Sequence, residues 1–168
     1  MSLALSWADR PREEANLLNP AFMGQLIERA ATGHGERRQS GLPWPLVFLA
    51  LPAVLHKPTR DALPRDTRTS MAAWTRDNAL FVGSLVERAR SLRPLITEGL
   101  LFSLAHGMVR HDSGLLVPAR LARRKHGDPW REPTDDFRDC ATRAAFFGRW
   151  CAVSGLPATV FALWGIRP

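Results

Sequence analysis

The 168-residue sequence contains no tyrosine, two cysteines and two lysines, Lys57 and Lys125. Each shortage excludes something. Cys140 and Cys151 are too few for a zinc cluster or a disulfide framework. On one shared helix they stand roughly 16 Å apart at 1.5 Å per residue, whereas a disulfide needs Cα atoms within roughly 7 Å. They read as small buried hydrophobes in a reducing cytoplasm. No run of eighteen apolar residues occurs, so no membrane span is expected. Met1 to Trp7 is too short and too polar for a signal peptide. The sequence also lacks GxxxxGK(S/T), GxGxxG and HExxH. Its five histidines, His34, His56, His106, His111 and His126, have no partner spacing for metal or nucleophilic work. Asp135, Asp136 and Asp139 suggest a metal site at first sight, but a helix N-terminus explains acids there without a metal. The expectation is no catalytic residue, no cofactor and no metal.

What is present is apolar residue and arginine. The hydrophobic fraction of 45% supports one core, so a single domain over residues 1–168 is the simplest organisation. Lys and Arg number 23 against 16 Asp and Glu, a net charge of +7. The surplus fits an anionic partner, nucleic acid first, or a basic protein with no such partner.

Taken in order, Pro11 and the acids after it open a short first helix. Asn19-Pro20 caps a second, from Ala21 to Thr32, with Phe22, Met23, Leu26, Ile27 and Ala30 at helical spacing. Gly33 to Gly41 reads as a polar loop. Leu42 to Leu55 is the most apolar run. It reads as a buried central helix, which Pro52 would kink or end, with a buried strand as the weaker option. His56 to Ser70 reads as loop with one helical turn near Thr59 to Leu63. A helix near Thr69 to Arg76 turns Met71 and Trp74 inward. Asn78 caps a helix from Ala79 to Arg90, and Pro94 opens another reaching His106. Val109 to Val117, with Asp112-Ser113-Gly114 at its centre, is a hairpin signal. Pro118 to Pro133 reads as a basic linker. Thr134 caps the last long helix, Gly155 ends it, and Pro157 starts a final short one.

These elements predict a mainly α fold (α+β) with one β-hairpin. Three helices and then a hairpin, over residues 69–117, is the order of a winged helix-turn-helix. The linker occupies 118–133, and helices in 134–168 pack back on the core. The helix that would read DNA is poor in polar side chains. Leu95, Ile96, Leu100, Leu101, Phe102, Leu104 and Ala105 cover it nearly all round, which suits contact with protein rather than bases.

Two basic regions are candidates for phosphate contact. Arg110, Arg120, Arg123, Arg124 and Lys125 face only Asp112 in sequence, which fits either non-specific DNA binding or a solvated linker. Arg65 and Arg68 lead into a helix N-terminus that could hold an anion, unless the arginines of that loop pair with Asp61 and Asp66. Partner-interface candidates are Leu95, Leu101, Phe102, Phe146, Trp150, Phe161, Trp164 and Arg167. On the last long helix Phe137, Cys140, Ala141, Ala144, Ala145, Gly148, Cys151 and Ala152 recur at helical spacing. Most are small, and such a stripe lets another backbone come close. The aromatic end beyond it is either the lid of the core or the edge of a partner interface.

An ordered set of segments carries a resemblance. It comprises Asn16-Leu17-Leu18-Asn19-Pro20-Ala21-Phe22, Pro45-Leu46-Val47-Phe48-Leu49, Leu55-His56-Lys57-Pro58-Thr59-Arg60, Leu63-Pro64 with Thr67-Arg68-Thr69-Ser70, Gly148-Arg149-Trp150, and Pro157 to the closing Gly165-Ile166-Arg167-Pro168. The set resembles the middle component of three-component ABC (ABC-3C) systems over nearly the whole chain. The linker after Pro118 shows no segment of that pattern. The resemblance implies a small non-enzymatic accessory subunit beside an SMC-like ABC ATPase and a nuclease-type effector. Such systems are similar to Lamassu-type anti-phage and anti-plasmid defence. The subunit would bridge or brace the ATPase, with double-stranded DNA met through the complex and no membrane. The alternative is a free-standing winged-helix DNA-binding regulator.

Overall fold

The computed structural model describes residues 19–119 and 134–166. The expected first helix, most of the basic linker, and Arg120, Arg123, Arg124, Lys125 and Arg167 lie outside the described residues.

Helix α1, Pro20–Arg38, starts where the sequence places it. The Asn19 side chain accepts from the Ala21 N–H at 2.8 Å, and Pro20 needs no partner at the first position. The helix does not stop at Thr32. It continues through Gly33-His34-Gly35 and closes at Gln39, whose left-handed φ of 54° lets its N–H reach the Gly35 carbonyl at 2.9 Å. Each glycine costs about 1 kcal/mol of helix propensity, so packing must retain this turn. A Cβ on Gly33 would lie 2.0 Å from the Ala145 carbonyl oxygen.

Strand β1, Leu42–Pro43, follows, then a 3₁₀ turn, Trp44–Leu46, and helix α2, Val47–Leu55. In α2 every residue from Val47 to Val54 except Phe48 is buried, as an all-apolar run predicts. The helix passes through Pro52 and continues to Leu55. Helix α3, Lys57–Ala62, is the short turn expected before a loop, and α4, Met71–Asp77, buries Met71 and Trp74. Ser70 caps α4 through its hydroxyl, which accepts from the Ala73 N–H at 3.2 Å.

Two expected helices are one. Helix α5, Ala79–Ala105, runs 27 residues, roughly 40 Å, through Pro94. Pro94 is exposed, so water can satisfy the Arg90 carbonyl that would otherwise accept its N–H. Asn78 also behaves differently from expectation. Its side chain donates back to the Trp74 carbonyl at 2.9 Å and makes no bond into α5.

Strands β2, Val109–Asp112, and β3, Leu115–Pro118, form the expected hairpin. Ser113 and Gly114 both have positive φ, 49° and 83°, as a two-residue hairpin turn requires. β1 adds a third antiparallel strand, in the order β1-β3-β2 with Leu42 opposite Leu116. A two-residue strand has no alternation to read. Its Pro43 sits on an edge, where a missing N–H costs no ladder bond. The helices-then-hairpin order remains consistent with a winged helix, with two helices in residues 69–117 rather than three.

Helix α6, Asp135–Ser154, is capped by Thr134, whose hydroxyl accepts from the Phe137 N–H at 3.2 Å. Helix α7, Pro157–Leu163, is the last helix among the described residues. The core is built on α1, which is gripped from two sides. Gly24 and Gly33 are nine residues apart, so at 100° per residue they face roughly opposite ways. Gly24 meets Ser103 and Met108 at the end of α5, and Gly33 meets α6. The opposing surfaces carry glycines too. A Cβ on Gly99 would lie 2.3 Å from the Met23 Cβ, and one on Gly148 would lie 2.0 Å from the Ala30 carbonyl oxygen. The small-residue stripe of α6 thus admits the α1 backbone.

The aromatic end is part of the same core. Trp74, Phe147, Trp150 and Trp164 form a cluster, with the Trp74 and Trp150 rings 5.7 Å apart edge to face and Trp74 and Trp164 5.3 Å apart. All three indole N–H groups are satisfied. Trp74 donates to the Ala62 carbonyl at 2.9 Å, Trp150 to the Thr69 carbonyl at 2.8 Å, and Trp164 to Met71 Sδ at 3.3 Å. Among the described residues no single helix is long and apolar enough to cross a membrane.

Candidate interaction surface

The chemistry-bearing residues turn out to be architectural wherever the chain buries them. His56 closes the start of α3, its ring Nδ1 lying 2.7 Å from Thr59 Oγ1 and 3.3 Å from the Thr59 N–H. Arg88 reaches across from α5 and donates to Thr59 Oγ1 at 3.1 Å and Ser84 Oγ at 2.7 Å. Burial, and then the Arg88 charge, hold the His56 pKa below its ordinary 6.5. Burial lowers the Arg88 pKa in turn, and its Nε has no acceptor among the described residues.

Arg60 is the most consequential of these groups. It is 2% exposed and donates to the Val54 carbonyl at 2.8 Å, to Asp139 at 2.6 Å and to Asp136. The acids at the start of α6 therefore hold a buried guanidinium, and the helix dipole alone does not account for them. Among the described residues no group of His, Cys, Asp and Glu is placed to hold a metal. Cys140 and Cys151 are buried and free. Burial pushes the Cys140 thiol up to about 11 and that of Cys151 higher still.

The candidate phosphate contacts divide. Arg110 is exposed on β2. Arg65 and Arg68 are exposed on the loop between α3 and α4, but Arg68 is held by Asp66 at 2.6 Å, and that pairing depresses the Asp66 carboxyl to about 2. Asp61 pairs with Lys57 at 2.8 Å instead of an arginine of this loop. The loop thus behaves largely as a self-paired cap.

The candidate partner contacts divide too. Phe146, Trp150, Phe161 and Trp164 are buried in the chain's own core, the first of the two roles that the sequence leaves open for the aromatic end. The tryptophan cluster above is the physical reason. Leu95 and Phe102 are half-buried, Phe102 stacking on His106 at 3.8 Å, and Leu101 is 61% exposed.

One surface feature among the described residues is a groove of about 880 Å³, on which Arg90 pairs with Glu87 at 2.8 Å. One wall is Trp44, Pro45 and Phe48, with Trp44 42% exposed and set edge-on to Phe48 at 6.1 Å. The other is a stripe of α5: Val86, Ala89, Arg93, Thr97 and Leu100, with Arg90 beside it. Steps of three and four residues put these on one helix face. The tail closes the end through Phe161, Gly165 and Ile166. Phe161 thus serves the core and the groove together. Among the described residues no carboxylate lines it, while Arg90 and Arg93 do. The α5 stripe was hidden in the sequence by Pro94, which splits it on paper and not in space.

Fold and surface together define a small helical protein distinguished by an arginine-edged apolar groove rather than by a cluster of reactive side chains among its described residues. The chain belongs to the ABC-three component (ABC-3C) system Middle Component 3 family, whose pattern matches residues 7–168. It is accordingly an accessory component with partner subunits in such a system. No curated protein and no solved structure matches it.

Proposed function

We propose that the chain is a non-catalytic subunit of an SMC-like ABC ATPase complex of the Lamassu type. It bridges or braces the ATPase and a nuclease-type effector in cytoplasmic anti-phage and anti-plasmid defence. The observation that carries this reading is family membership over residues 7–168. The complex meets double-stranded DNA without reading sequence. Arg65 and Arg110, with Arg120, Arg123, Arg124 and Lys125, supply positive charge near the ATPase, while Arg68 is neutralised by Asp66.

Co-expression with the ATPase encoded beside it is the direct test. The two chains are expected to elute together on gel filtration at low salt, and separate elution overturns the proposal. A DNA titration with the isolated chain separates this reading from a free-standing winged-helix regulator. Weak, salt-dependent, sequence-indifferent binding fits the subunit, whereas sequence-specific binding fits the regulator.

A further inference from the structure

We infer that the groove between Trp44 and α5 receives an amphipathic helix of a partner protein, apolar along one face and edged with carboxylates. That the helix comes from a complex partner rests on the subunit reading. The shape and charge of the occupant rest on the groove alone.

Three observations carry it. The first is length: from Val86 to Leu100 the stripe covers roughly 21 Å at 1.5 Å per residue, about four turns of an apposed helix. The second is chemistry: an exposed tryptophan and two arginines are side chains that dominate protein–protein binding energy, and here they line one concavity. The third is charge. No carboxylate lines the groove among the described residues; Arg90 is paired outside it with Glu87 at 2.8 Å in an exposed pair, so it is chiefly Arg93 that favours an acidic edge over a basic one. Phosphate-backbone contact does not need the apolar Trp44, Phe48 and Leu100 surfaces. A helix with a hydrophobic stripe does.

The test uses the full chain and two synthetic sixteen-residue amphipathic peptides. They share a leucine-rich face and differ only in having glutamate or lysine along its edges. Intrinsic tryptophan fluorescence reads the titration. The glutamate peptide is expected to bind about tenfold more tightly. Arg90→Glu with Arg93→Glu should reverse the preference, and Thr97→Arg, at an exposed position on the groove wall, should abolish both. Equal binding of the two peptides, or binding indifferent to T97R, overturns the inference. So does tightening on removal of residues 1–18, which would make the chain's own segment the occupant, or T97R-sensitive self-association, which would make it a second copy. The second arm tests T97R in co-expression. Loss of assembly that wild type retains supports the groove as the docking site, and retained assembly overturns it. If wild type itself fails to join the ATPase, the subunit reading falls, while the peptide result still decides the groove.

Discussion

Gly148 has no side chain, and the Ala30 carbonyl fills the space where one would stand. Gly148→Ala must therefore push α6 from α1 or distort both, at a cost of about 1–3 kcal/mol. Gly83 is the control: it is exposed on α5, and a Cβ there meets nothing within 4 Å. Gly83→Ala should stabilise by about 1 kcal/mol through helix propensity alone. Urea denaturation of the two variants reads the contrast, and similar shifts for both would contradict the close crossing. His34 sets a pH dependence at the same scale. It is 6% exposed with its Nδ1 3.3 Å from the Ser40 carbonyl. Burial lowers its pKa from 6.5, the Ser40 carbonyl opposes that, and the Arg38 charge adds to it. Burial, with Arg88, lowers that of His56. Because folding depresses both values, the unfolded chain takes up protons first as pH falls. Stability is therefore full above about pH 6.5 and declines below it, toward the folded-state pKa values. The urea midpoint should drop between about pH 7.5 and pH 5.5, with a smaller drop in His34→Gln. A midpoint that does not move would contradict the burial of these rings.

At the scale of elements, Arg60 joins α3 and the end of α2 to α6. Arg60→Met keeps the buried stem and removes the head, so the expected loss is the ion pairing itself, about 3 kcal/mol. The two carboxylates limit that loss, since Asp136 and Asp139 are 66% and 43% exposed and can rehydrate. Asp139→Asn should cost more than Asp136→Asn, and thermal melts of the three variants check the order. None of this pairing was legible in the sequence, because the partners lie 76 and 79 residues apart. Local chemistry was legible. Asn19 and Thr134 each announce a helix start, because a cap is made within three residues of itself. The two misread helix boundaries share one cause. Gly33 and Pro94 carry local penalties that tertiary packing or solvent exposure overrides, so α1 was read too short and α5 was broken in two. The same break hid the groove. Aromatic character in the tail was visible, but which way Trp150 and Trp164 point depends on Trp74, far away in the chain.

At the scale of the whole molecule, the tail decides whether the fold closes. Deleting Leu163 to Pro168 removes Trp164, which is wholly buried against Trp74, Phe147 and Trp150, and takes Ile166 from the groove. A Trp-to-nothing change in a core costs about 3–5 kcal/mol, a large share of a typical domain's stability. The truncated chain should be insoluble or melt well below wild type, and circular dichroism melts check it; an unchanged melt would show that the tail is dispensable. The doubly gripped helix α1 has a different consequence. Replacing glycine can only add atoms, so a descendant of this sequence could exchange most of its surface arginines without changing shape, yet not add a methyl at Gly33 or Gly148. Two glycines nine apart on an early helix, answered by one on each flanking helix, would therefore trace distant kin after every charged motif had drifted away.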